Sequence, residues 1–188
     1  MKRKKLLPLL ILPIFSASFL VSPVFAENLS VSLSNDQIGN ISTNCSSIKE
    51  TLKRAQNSDR NTRLSLGRIY QNVLTNFITP LNVRLVKNNL FDSSLADNQS
   101  NFSKNRETFN HDYVTYSKDL EALIATDCKT NPVDFYSQLE KTRASRKAVS
   151  NDIATLNNIL LKHSKLVVNL KNTVGGTEWT KNHMAEEI

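Results

Sequence analysis

The sequence predicts an all-α protein: an elongated, antiparallel (up-down-up) three-helix bundle of coiled-coil type, closed by one disulfide. Three observations predict it. Apolar residues recur at alternating steps of three and four over three long segments, a 3.5-residue period that helices use and strands do not. The chain holds only two cysteines, Cys45 and Cys128, so at most one bridge can form. It also holds only 4 glycines in 188 residues. That is few for the phosphate loops of nucleotide-binding α/β folds or the tight turns of β-sandwiches.

Residues 1–26 read as an export signal. Lys2-Arg3-Lys4-Lys5 precede an apolar run from Leu6 to Phe15, then small or apolar residues to Ala26, with no charge before Glu27. A positive start, an apolar middle and Val24-Phe25-Ala26 fit a signal peptide cleaved after Ala26. The alternative is an uncleaved N-terminal anchor, because the apolar stretch is long enough to cross a bilayer. Cleavage is favoured, since Pro8, Pro13 and Pro23 make a poor permanent span. Either outcome puts the rest of the chain outside the cytoplasm. Residues 27–42 follow as an extended arm, with Leu29, Val31 and Leu33 alternating.

The bundle is expected over residues 43–175. Its first helix starts at Cys45, capped by Thr43 or Asn44, and carries Ile48, Leu52, Ala55, Asp59, Thr62, Leu66, Ile69 and Val73 in register. Thr79-Pro80 is expected to kink or end it, with a turn or short capping helix over residues 81–91. Asp92, Ser93 or Ser94 caps the second helix, whose seam runs from Leu95 through Phe102, Phe109, Tyr116 and Leu123 to Asp127. Pro132 starts the third, with Asp134 in its first turn. Its seam runs through Phe135, Leu139, Thr142, Arg146, Val149, Ile153, Leu156, Leu160, His163, Val167, Leu170 and Val174. Gly175-Gly176 is expected to end it, leaving residues 176–188, with Trp179, as a flexible C-terminal tail. Residues 27–188 contain 22 asparagines, weak helix formers, so the helices depend on their seams.

In an exported chain an even pair of cysteines forms a disulfide, and 82 residues lie between Cys45 and Cys128. If the first two helices run antiparallel, these two positions lie level and the turn falls midway between them. The bridge then clamps the start of helix one to the end of helix two, in a bundle about 50–60 Å long. The same levelling brings Asp59, Tyr113, Tyr116 and Arg146 into one buried polar layer. It reads as a register-setting ion pair completed by tyrosine hydroxyls, more readily than as a charged functional site.

Net charge excludes one class of partner. Four of the 24 basic residues lie in the first 26 positions, so residues 27–188 hold 20 basic against 17 acidic groups. A nucleic-acid binder is not expected. A basic band is nevertheless legible where Lys53, Arg54, Arg60 and Arg63 fall level with Lys141, Arg143, Arg146 and Lys147. Such a band suits anionic surface polymers, phospholipid headgroups or an acidic partner.

Catalysis is not expected. No serine is flanked by glycines, no paired carboxylates project into a cleft, and no phosphate loop occurs. No metal or cofactor is expected; His163 reads as a core histidine, and His183 with Glu186 and Glu187 is a weak ligand set. Five N-x-S triplets begin at Asn28, Asn40, Asn44, Asn98 and Asn101, and glycans on the last two would crowd the helix-two seam. Leftover apolar residues Leu64, Leu74 and Leu166 suggest a homodimer seam. In its period and leader the chain resembles bacterial exported coiled-coil proteins, including the helical spacer regions of cell-wall hydrolases. That resemblance covers no hydrolase domain and implies no activity.

The expected function is that of an exported, non-enzymatic interaction or spacer module at a cell surface, its protein or polymer partner unknown. One alternative is a membrane-anchored protein holding anionic polymers or lipids through the basic band. A second is an enzyme of unknown class.

Overall fold

The computed structural model describes residues 33–184, with side chains described through Val174, and every regular element among them is helical. Helix α1 spans Asn35–Thr43, α2 Cys45–Val73, a π-helical turn Leu74–Ile78, α3 Thr79–Lys87, α4 Ser93–Ala125 and α5 Pro132–Met184. Five α-helices thus stand where three were expected, although α2, the π turn and α3 run on without a break.

Three boundaries differ from the sequence reading, each for a local reason. The arm expected over residues 27–42 is helical from Asn35; residues 27–32 lie outside the described residues. Ser34 and Gln37 form a reciprocal capping box, Ser34 Oγ accepting from the Gln37 amide and Gln37 Oε1 from the Ser34 amide. Two donors of the first turn are thereby satisfied, which outweighs the alternation of Val31 and Leu33. Asn44 does not cap α2 through its side chain; its Nδ2 donates back to the Asn40 carbonyl at 2.9 Å. Gly175-Gly176 does not end α5, whose backbone stays helical to Met184. Two glycines cost about 1 kcal/mol each relative to alanine, which weakens a helix without stopping it when no proline follows. Residues 185–188 of the expected tail lie outside the described residues.

Pro80 is absorbed rather than disruptive. Thr79 N–H donates to the Leu74 carbonyl, an i→i−5 bond, and Pro80 enters the first turn of α3, where a missing donor costs little. The wider winding has a second effect. A strict 3.5-residue seam would turn Ile69 inward, yet Ile69 is exposed while Tyr70, Leu74 and Ile78 are buried. A straight helix drifts about 20° per heptad from that repeat, and the π turn lets residues four apart share the core face. Leu74 is therefore part of the core, not of a homodimer seam as expected, whereas Leu64 stays exposed.

The apolar positions of the other seams fall where the periodicity put them, whereas Asp127, the expected end of the helix-two seam, is exposed beyond α4. Phe102, Phe109, Tyr116, Leu120 and Leu123 of α4 are buried against Phe135, Val149 and Leu156 of α5. Tyr70 meets Phe102 and Phe109 edge-on, ring centroids 6.0 and 5.8 Å apart. Such edge-to-face pairs add about 0.5–1.5 kcal/mol each beyond burial. Asp92 caps α4 by accepting from the Leu95 amide, one of the three capping candidates named. Cys45 and Cys128 are bonded, with Cα atoms 5.4 Å apart.

Helix α5 packs most extensively on α4, and α2 also lies on α4. No Cα of α2, however, comes within 8 Å of a Cα of α5. Helices packed at the usual interaxial distance of about 8–10 Å approach more closely than that. An open seam therefore separates α2 from α5, floored by α4. At its start α1 touches both flanking helices, Ile41 and Leu33 standing with Ile48, Leu52, Phe135 and Leu139 around a shared cleft.

Candidate functional site

Beyond α1 the open seam becomes a groove of about 570 Å³. Helix α2 supplies Asp59, Thr62, Arg63 and Leu66, α4 supplies Phe109, Tyr113 and Tyr116, and α5 supplies Arg143, Arg146, Lys147, Val149, Ser150 and Ile153. The 3.6-residue helical period explains the set, since Asp59, Arg63 and Leu66 share one face of α2 and Arg146, Val149 and Ile153 one face of α5.

All four residues of the expected polar layer meet here. Tyr116 Oη donates to Asp59 Oδ2 at 2.6 Å; Arg146 donates from Nε to Oδ2 at 2.9 Å and from Nη2 to Oδ1 at 3.0 Å. Tyr113 packs edge-on against Tyr116 at 6.1 Å. The layer is not buried as expected: the Arg146 side chain is 61% exposed and that of Asp59 20%. Only Tyr116 is fully covered. The long arginine reaches across the seam from its rim, so its guanidinium stays in water.

These contacts set the electrostatics. Burial, then the Asp59 carboxylate it bonds, pushes the Tyr116 phenol far above its ordinary pKa. Hydrogen bonds to Asp59 raise Arg146. Burial raises Tyr113. Both tyrosines are therefore neutral donors at physiological pH, unsuited to act as bases. Asp59→Ala leaves the covered Tyr116 hydroxyl without its acceptor, a loss of about 1–3 kcal/mol. The exposed Asp97→Ala change is expected within about 0.5 kcal/mol of the parent. Equal melting temperatures for the two variants would refute the coupling.

The basic band divides. Arg63, Arg143 and Lys147 line the groove with Arg146, whereas Lys53, Arg54, Arg60 and Lys141 do not. Arg54 donates to Thr51 Oγ1, and Lys141 pairs with Asp119 at 2.8 Å on the other side of α5. Arg143 pairs with Glu140 one turn earlier, an exposed contact worth little. Arg63 lies over the Tyr113 ring at 5.4 Å and reaches Asn110 Oδ1 at 3.4 Å, while its buried Nε has no hydrogen-bond partner.

Away from the groove, polar residues pin α4 to α5. Asn98 is 2% exposed; its Nδ2 donates to the Ile159 carbonyl at 3.1 Å, and its Oδ1 lies 3.1 Å from His163 Nδ1. Since Oδ1 can only accept, His163 carries its proton on Nδ1, and burial lowers its pKa so that the ring is neutral. With its amide enclosed, Asn98 cannot accept a glycan in the folded chain. His111 is exposed beside Asp112 at 2.9 Å. Among the described residues no three His, Cys, Asp or Glu side chains converge as metal ligands. Glu186 and Glu187 lie outside the described residues.

Asp112 and Asp152 face each other across α4 and α5. Burial, then the Asp112 carboxylate, raises the Asp152 pKa, and its Oδ2 is buried without a partner. Two ionised carboxylates have no proton to share, so the contact is repulsive until one is protonated. With the folded pKa above the unfolded one, stability from this pair rises as pH falls through the raised value and is lost above it. Asp152→Asn is expected to raise the melting temperature at pH 7, and by less as pH falls through the raised value. A lower melting temperature at pH 7 would contradict this.

Sequence reasoning missed the buried polar roles of Asn98 and Asp119 and the groove itself. The first two are polar residues one position off the α4 seam and carry no pattern of their own. The groove is a gap between helices that share no direct packing. The chain matches no family model, no curated protein and no solved structure. Among the described residues no helix is long and apolar enough to cross a membrane.

Proposed function

We propose that this chain is an exported, non-enzymatic helical module that acts by binding outside the cytoplasm, its three rods running up-down-up. Two sets of pairs support that topology. Along α2, Cys45, Asp59 and Tyr70 meet Cys128, just past the end of α4, then Tyr116 and Phe102 on α4, in descending order. The same Asp59 and Tyr70 meet Arg146 and Asn157, in ascending order on α5. Export rests on the basic-then-apolar leader and agrees with the disulfide.

The observation that carries a binding role is the groove between α2 and α5. Four cations, Arg63, Arg143, Arg146 and Lys147, line it against one carboxylate, Asp59, already engaged by Arg146. Asp59 apart, its charged groups are donors, no base among the described residues stands by the Thr62 and Ser150 hydroxyls in its lining, and its floor is apolar. This suits recognition rather than bond making. The expected result is binding to an anionic polymer or anionic vesicles that weakens with salt and is lost in Arg143→Glu/Lys147→Glu. No binding at low salt would remove this reading. The second reading, a membrane-anchored form of the same module, is favoured only by the length of the N-terminal apolar run. It predicts sedimentation of the full chain with membranes, insensitive to high salt.

A further inference from the structure

We propose that the groove between α2 and α5 docks an acidic amphipathic helix of a partner protein, which completes a fourth rod of the bundle. The inference rests on the binding reading above and names the partner's chemistry.

Three observations lead there. First, a helix already packs beside the seam at its start. Helix α1, joined to α2 through Asn44, packs on α5 around a cleft shared by all three, and Arg143 lines both that cleft and the groove beyond. The unfilled part continues the same seam. Secondly, the dimensions suit side chains inserted from a helix lying above. From Arg143 to Ile153 the groove runs about 15 Å along α5, room for anchors at i, i+4 and i+7. Two polar straps cross near its ends, Arg146 to Asp59 and Tyr70 Oη to Asn157 Oδ1 at 3.5 Å. Between them half-buried Leu66 and Ile153 leave apolar surface open to an occupant, over the buried Phe109 and Val149.

Thirdly, charge selects the occupant. The rim presents Arg63, Arg143, Arg146 and Lys147, and the unpartnered Arg63 Nε is buried at its side. Apolar anchors flanked by carboxylates would satisfy floor and rim together, whereas a basic helix would face like charges. A simple polyanion would satisfy the rim and leave the floor uncovered.

The test uses the full, disulfide-bonded chain and two synthetic peptides of about 18 residues. Both carry leucines on one helical face; one has glutamates flanking that face and the other lysines. Fluorescence anisotropy at low and high salt reads binding. The glutamate peptide is expected to bind at least about tenfold more tightly than the lysine peptide. Arg143→Glu/Lys147→Glu is expected to reverse that order. Ser150→Trp, at an exposed position lining the groove, fills it without changing charge and is expected to abolish binding at an unchanged melting temperature.

Equal binding of the two peptides, or none by the glutamate peptide at low salt, would overturn the proposal. So would unaltered affinity in Ser150→Trp. Binding of polyphosphate without the glutamate peptide would overturn the docked helix and leave the broader binding reading intact. Sedimentation showing a dimer broken by Ser150→Trp would assign the groove to a second copy and equally overturn it.

Discussion

Replacing both cysteines, as Cys45→Ala/Cys128→Ala, is expected to lower stability by about 4 kcal/mol, within a usual range of about 2–5. The bridge closes a loop of sequence separation 83, so most of the loss arises in the unfolded chain, which regains the freedom the bond removed. For a chain of this size that corresponds to a fall of about 10 °C in melting temperature. The folded state localises the rest. Ile48, Leu52, Ala55 and Asp59 are only half-buried, while the first fully buried residue of α2 is Tyr70. Without the clamp the first half of α2 should open before the second. Hydrogen exchange should show protection lost over residues 45–59 while that around Tyr70 is kept. Uniform loss along α2, or an unchanged melting temperature, would contradict the clamp.

Phe109→Ala is expected to cost about 3–5 kcal/mol, the largest effect of any single substitution considered. Phe109 is fully buried at the middle of α4, edge-on to Tyr70 of α2, and it floors the groove facing α5. Truncation removes the ring's burial, leaves a cavity that rigid helices cannot close, and deletes an aromatic pair. Urea denaturation gives the loss directly. Phe77→Ala is the control, because Phe77 is 64% exposed on the π turn and should change stability by no more than about 0.5 kcal/mol. Similar losses in the two variants would mean that the core is not where these contacts place it.

The charged layer shows how far sequence reasoning carries into the site. Asp59, Tyr113, Tyr116 and Arg146 were legible as one level because helical rise is constant and the cysteines set the register. Their exposure was not legible. Burial of Arg146 depends on how far α2 stands from α5, a distance no spacing along either helix encodes. The expected basic band rests on level alone, and level does not say which face of a helix a residue takes. Helical phase divides the cations that face the groove from those, such as Lys141, that turn to Asp119, since five residues set Lys141 about 140° around α5 from Arg146.

Local boundaries followed the same rule on a smaller scale. Pro132 marks a helix start through its own geometry, and for α4 the sequence narrows the cap to Asp92, Ser93 or Ser94, of which Asp92 caps. The capping box at Ser34 competes with an alternating apolar pattern, and the π turn competes with a heptad seam. In both cases contacts made elsewhere decided between two acceptable local conformations.

By itself the sequence determined the helical class, the pairing of Cys45 with Cys128 and the apolar seams of α4 and α5, because each depends on short spacings and a fixed rise per residue. The tertiary structure alone decided that Tyr70, Leu74 and Ile78 replace Ile69 at the core, and that α2 and α5 stand apart over a cation-lined groove. Those outcomes come from how whole helices lean on one another, where many weak side-chain contacts are summed at once and no single stretch of chain carries the answer.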